Sequence, residues 1–210
     1  MSGVAGDGLS VAAFGNSPSW LTAEAASAPP NNLTLELWVF MRADAAGASR
    51  CAIAWDGAVA NTSFVNVRTG GDFQFTSNGV DVVSPATYTR QAWRHVVGTN
   101  ASGALKLYID GAQVQTGSAG THTITAVAVS VLAASAGAIP FRGWVAEPAV
   151  YATALPAARV LAHYNAADTR GVPPYPTLGA PPTGGSPLLS VLLADLGEVL
   201  ASVRHTFPAT

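Results

Sequence analysis

Alternating apolar and polar positions dominate the first four-fifths of the chain. Thr34-Leu35-Glu36-Leu37-Trp38-Val39-Phe40 is a β-prone run. Asp72 to Ser84 predicts a hairpin: Phe73 and Phe75 alternate with polar residues, Asn78-Gly79 makes the turn, and Val80 to Val83 returns. Asn-Gly suits a type I′ turn because both central residues need positive φ. A second hairpin runs from Ala104 to Thr116 around Asp110-Gly111, with Leu105, Leu107 and Ile109 on one face; His95 to Thr99 precedes it. Ile124 to Leu132 and Phe141 to Tyr151 complete the strands. Short strands with frequent turn signals predict a sandwich or barrel rather than βαβ units.

The pattern changes near the end. Ala154 to Ala167 has helical spacing, with Leu155, Val160, Leu161 and Tyr164 as its apolar residues and Pro156 in its first turn. Residues 171–186 form a Pro/Gly-rich linker. From Pro187 to His205 a second helix is expected, capped by Ser186. Leu189, Leu196 and Val203 are seven apart, as are Leu192 and Val199, while Leu193 and Leu200 widen the stripe. So short a helix is unstable alone in water. These seven residues are therefore read as an assembly interface, in cis or in trans, beyond a sandwich over residues 1–170.

Composition narrows the partners. Of 210 residues 49% are apolar and only 10% charged, against roughly 25% in an average soluble protein. The net charge is −2 and basic residues form no run, which excludes nucleic-acid binding. Cys51 is the single cysteine, so no internal disulfide can form. Met1 to Asp7 shows no basic start followed by an apolar stretch, so no secretory signal is read there. Neither Ile124 to Ile139 nor Leu188 to Val203 meets the roughly 20-residue apolar requirement for crossing a membrane.

Five segments, in order, carry a family pattern: Leu33-Thr34-Leu35-Glu36-Leu37-Trp38-Val39; Trp93-Arg94-His95-Val96-Val97; Leu105-Lys106-Leu107-Tyr108-Ile109-Asp110-Gly111; Phe141-Arg142-Gly143-Trp144-Val145-Ala146-Glu147; and Val150-Tyr151-Ala152-Thr153-Ala154-Leu155. Together they resemble the laminin-G-like, concanavalin A-like lectin/glucanase superfamily over about residues 5–167. The resemblance implies an all-β jelly-roll sandwich of two antiparallel sheets, here with a short C-terminal α-helix. It does not fix an activity. Trp38 and Trp93 are expected in the core, His95 as a packed or rim residue, and Gly143 as a point of close backbone approach beside Phe141.

Glucanases of this superfamily carry paired carboxylates at alternate positions of one strand. Glu36 and Glu147 each stand alone in their strands, and no Gly-x-Ser-x-Gly elbow occurs, so no catalytic residues are assigned and no enzyme activity is expected. No cofactor is expected beyond a structural calcium, which would draw on Asp7, Asp56 and Glu147. Glycan binding would use exposed aromatics for stacking: Trp55 with Asp56, Trp20 and Trp144. Sparse charge, no disulfide and an apolar tail suggest a virion structural protein, a phage capsid decoration or tail-associated component assembled in bacterial cytoplasm. Its partners would be sister chains, capsid proteins and host-surface glycans. The alternative is a bacterial surface or secreted carbohydrate-binding module, and a glycoside hydrolase is the remote one.

Overall fold

The structure, a computed structural model, describes residues 10–12, 21–24, 31–42, 50–56, 63–120, 128–131, 141–169 and 203–205. They form β1 (Ser10–Ala12), β2 (Leu21–Glu24), β3 (Asn32–Met41), β4 (Arg50–Asp56), β5 (Ser63–Val67), β6 (Phe73–Ser77), β7 (Val80–Val83), β8 (Trp93–Ala101), β9 (Ala104–Ile109), β10 (Ala112–Ser118), β11 (Ala128–Val131), β12 (Gly143–Tyr151), α1 (Ala157–Thr169) and β13 (Val203–His205). Two antiparallel sheets result, ordered β1-β12-β3-β8-β9-β10 and β13-β2-β11-β4-β5-β6-β7.

Period two decides what lies between the sheets. Leu33, Leu35, Leu37, Val39 and Met41 of β3 point inward, with Val96, Leu105, Leu107, Ile109 and Val145 beside them in the same sheet. Ile53, Val65, Val67, Phe73, Phe75 and Val82 meet them from the facing sheet. The expected turns have the required geometry: Asn78 and Gly79 have φ of 50° and 73°, and Asp110 and Gly111 52° and 77°. Gly143 is where the backbone comes close, since a Cβ there would lie 2.7 Å from Phe141 Cε1 and also meet the Phe40 carbonyl oxygen.

β3 is buried on both faces. Thr34, Glu36 and Trp38 point away from the core yet are 0%, 6% and 7% exposed, because α1 packs over that outer face. The helix presents Val160, His163 and Tyr164, an i, i+3, i+4 set, to the sheet. Leu161, expected among its apolar contacts, is instead 46% exposed over the β9–β10 turn. Trp38 is buried as expected and Trp93 is half-buried beside it, but in a second, smaller cluster on the outer side of the sheet, since their positions alternate with the inward leucine and valine phase.

The C-terminal assembly segment lies outside the described residues from Leu189 through Leu192, Leu193, Leu196 and Val199 to Leu200. Val203 does not end a helix. It opens β13, which pairs antiparallel with β2 of the same chain, Val203 opposite Ala23 and His205 opposite Leu21. A β-branched residue favours an extended backbone, and the β2 edge offers main-chain partners.

Candidate functional site

The outer face of the six-stranded sheet concentrates the polar and aromatic chemistry. Four alternate residues of β3 define successive tiers: Thr34, Glu36, Trp38 and Phe40. In the first, the Thr34 hydroxyl donates to the Thr153 carbonyl (2.8 Å) and accepts from the Leu155 amide (2.9 Å), fixing the approach to α1.

In the second tier, Glu36 Oε1 is 2.8 Å from His95 Nε2, and His163 Nδ1 of α1 lies 3.0 Å from both carboxylate oxygens. The Tyr151 ring lies 6.1 Å from that of His163, close enough to feel the Glu36 charge. Each ring nitrogen facing the carboxylate carries a proton, since an ionised carboxylate only accepts. Burial alone would raise the Glu36 carboxyl, but the hydrogen bonds and charges of His95 and then His163 outweigh it and hold it below the ordinary 4.5. Burial, and next the Glu36 charge, push the Tyr151 phenol well up. A one-residue bulge in β12 creates the tier. Ala146 pairs with Trp38 but Ala149 with Glu36, and Glu147 has φ of 49°. The slip keeps Tyr151 on the outer face.

Trp38 dominates the third tier, stacked on Tyr164 (centroids 5.8 Å apart, 20° between planes) with the His95 ring 5.1 Å away. The fourth is a row of rings across three neighbouring strands. Phe40 of β3 pairs with Trp144 of β12 on one side and Trp93 of β8 on the other. Centroid distances are 4.8 Å to Trp144, edge-on, and 5.6 Å to Trp93, tilted. All three side chains are half-buried.

Of the glycan candidates expected from sequence, Trp144 stands in this row, together with Phe40 and Trp93, which sequence reasoning assigned elsewhere or not at all. Trp55 is corrected. It is 5% exposed inside the sandwich core, because β4 continues through it and its position shares the inward phase of Ile53. Asp56 ends that strand, and Trp20 lies outside the described residues. Of the calcium candidates, Asp7 lies outside the described residues, and Asp56 and Glu147 belong to different sheets. Among the described residues no three His, Cys, Asp or Glu side chains are arranged to hold a metal.

Sequence reasoning left Glu36 isolated, whereas the fold gives it two histidines and a tyrosine. The signal was the phase: Glu36 alternates with Trp38, and His95 with Trp93, opposite the leucine face. The outer face of the seven-stranded sheet has a polar chain of its own. Gln74 Nε2 donates to Thr76 Oγ1 (2.9 Å), which donates to Asp81 Oδ1 (2.7 Å), so these groups engage one another.

No curated relative matches the chain. Among solved structures, it resembles a native heptameric SAP-like pentraxin from Limulus polyphemus at 14% identity (TM-score 0.57), covering 71% of this chain and 77% of the pentraxin. It also resembles a protein of Bacteroides ovatus described as a candidate carbohydrate-binding protein, at 14% identity (TM-score 0.58; 72% and 46% of the two chains). The binding domain of botulinum neurotoxin serotype D is similar at 12% identity (TM-score 0.59; 76% and 42%). The matched part is thus less than half of each of the latter two. These likenesses show a shared fold. The profile of one family matches residues 14–161, most of the chain, and with the two-sheet sandwich it makes the protein a member of the concanavalin A-like lectin/glucanases superfamily.

Proposed function

We propose that the protein is a non-catalytic binding domain that holds a glycan against the aromatic row Trp144–Phe40–Trp93. The row itself carries this reading. Pyranose rings present apolar C–H faces that stack on aromatic rings, and rings fixed on adjacent strands lose little conformational freedom on binding. The names of the Bacteroides protein and of the neurotoxin domain fit a binding role for this sandwich. A non-catalytic reading is further supported by Glu36, whose carboxylate is engaged by His95 and His163 and is not free to act as a general acid.

On a glycan array, wild-type protein should retain a subset of neutral oligosaccharides. Trp144→Ala should weaken binding to them at least tenfold, roughly 1.4 kcal/mol or more at a well-packed aromatic contact, while the variant stays folded with a modestly lower melting temperature from the lost edge contact with Phe40. Equal binding by the variant, or no glycan bound by wild type, overturns the proposal.

A virion component remains the second reading, favoured by the seven-residue spacing from Leu189 to Leu200. The pairing of Val203–His205 with β2 of the same chain weighs toward the tail staying in cis. Light scattering separates them: the virion reading requires oligomers that dissolve when residues 184–210 are removed.

A further inference from the structure

We infer that α1 is latched to the six-stranded sheet through the Glu36 carboxylate, and that acid releases the helix while the sandwich stays folded. The geometry carries this. Two donors converge on one acceptor: His95 Nε2–H from β8 and His163 Nδ1–H from α1, the latter 3.0 Å from both carboxylate oxygens. A protonated Glu36 would itself be a donor. The added proton takes one of the two oxygens that His163 Nδ1–H faces and removes the charge from both hydrogen bonds, in a place where Glu36 is 6% and His95 1% exposed.

The other charged groups nearby do not replace it. Arg159 of α1 and Glu147 of β12 act on Tyr151. Asp110, beyond β9, accepts from the His95 backbone amide (3.0 Å) and from Arg94 (2.8 Å). Among the described residues His95 Nδ1 is buried without a hydrogen-bond partner, so a second proton on that ring meets no acceptor there. His163 is half-buried, and an imidazolium there would still donate to Glu36 and add charge attraction.

Among the described residues, apolar burial adds a modest contribution to holding the helix. Val160 is its one fully buried side chain among the described residues, in a small cluster with Val97 and Tyr108, and Tyr164 adds the stack on Trp38. Thirteen residues are marginal as a free helix. The main core contains no α1 residue, so it does not depend on the helix. The sign follows from Glu36, whose carboxyl sits below its ordinary 4.5 when folded. Its contribution is complete above that value and disappears as pH falls through the lower folded one.

Amide hydrogen exchange of the full chain between pH 7 and pH 3, corrected for intrinsic rates, tests this. Protection in α1 should hold down to about pH 5 and then fall at least tenfold, while β3, β8 and β9 stay protected. Glu36→Gln should lower α1 protection at pH 7 and remove its pH dependence. Should that buried variant not fold, the half-buried His163 serves: His163→Ala should free the helix at pH 7, and His163→Asn, which keeps a donor near Nδ1, should restore it. Simultaneous loss of protection in helix and strands, or a variant that follows the wild-type pH curve, overturns the inference.

Discussion

Gly98→Ala is expected to destabilise the sandwich by about 3 kcal/mol, the upper part of the usual range for overpacking a tight core. Gly98 of β8 lies between Leu35 and Leu107 in register, and its missing side chain would point between the sheets. The Phe75 ring of the facing sheet fills that space. An added methyl would overlap its Cδ2 and Cγ atoms and lie 2.8 Å from Cε2. Phe75 is fully buried and cannot swing into solvent. In a domain of this size the change corresponds to a melting temperature roughly 6–12 °C lower. Phe75→Leu on top of Gly98→Ala should recover part of the loss, because the smaller side chain leaves room for the methyl. A melting point within 2 °C of wild type for Gly98→Ala would show that the sheets are not packed as described.

Asn100→Ala should be nearly as damaging, at about 3 kcal/mol, for a polar reason. Its Nδ2 donates to Ser77 Oγ (3.0 Å), and its Oδ1 accepts from the Gly103 amide (2.7 Å). Ser77 in turn shares a hydrogen bond with Ser63 (2.8 Å). The network joins β8 of one sheet to β5 and β6 of the other, and Ser63, Ser77 and Asn100 are fully buried. Truncation orphans a buried amide N–H and removes a donor from Ser77, each worth roughly 1–3 kcal/mol. Asn100→Asp keeps the acceptor for Gly103 but buries a carboxylate with no cation beside it among the described residues, so it should recover none of the loss at pH 7. Urea denaturation with an unchanged slope would give these differences directly.

The inward face was legible wherever the alternation was clean. Leu33 to Met41 and Leu105 to Ile109 each place every second residue between the sheets, and Asn78-Gly79 and Asp110-Gly111 mark their turns by chemistry that only positive φ explains. β4 was less legible because Arg50-Cys51-Ala52-Ile53-Ala54-Trp55-Asp56 mixes small residues with one large ring beside an Asp-Gly pair. That made a core tryptophan look like a loop residue. The outer face was hidden for another reason. Glu36 meets His95 59 positions away and His163 127 positions away, and its strand gives no local sign of either. The aromatic row also depends on lateral register, which sets Trp144 and Trp93 beside Phe40 and which spacing along one strand does not reveal. At the C-terminus a seven-residue apolar spacing predicted helix through Val203, where pairing with β2 prevails.

The central claim is that the ring row on the six-stranded sheet is where a sugar lands. The most direct measurement is the movement of tryptophan indole N–H signals in nuclear magnetic resonance spectra as a panel of soluble neutral oligosaccharides is titrated. The expected result is saturable shifts at Trp93 and Trp144, with Trp55, enclosed in the core, unchanged. Trp93 and Trp144 signals that stay fixed with every sugar in the panel, or shifts at Trp55 alone, would contradict it.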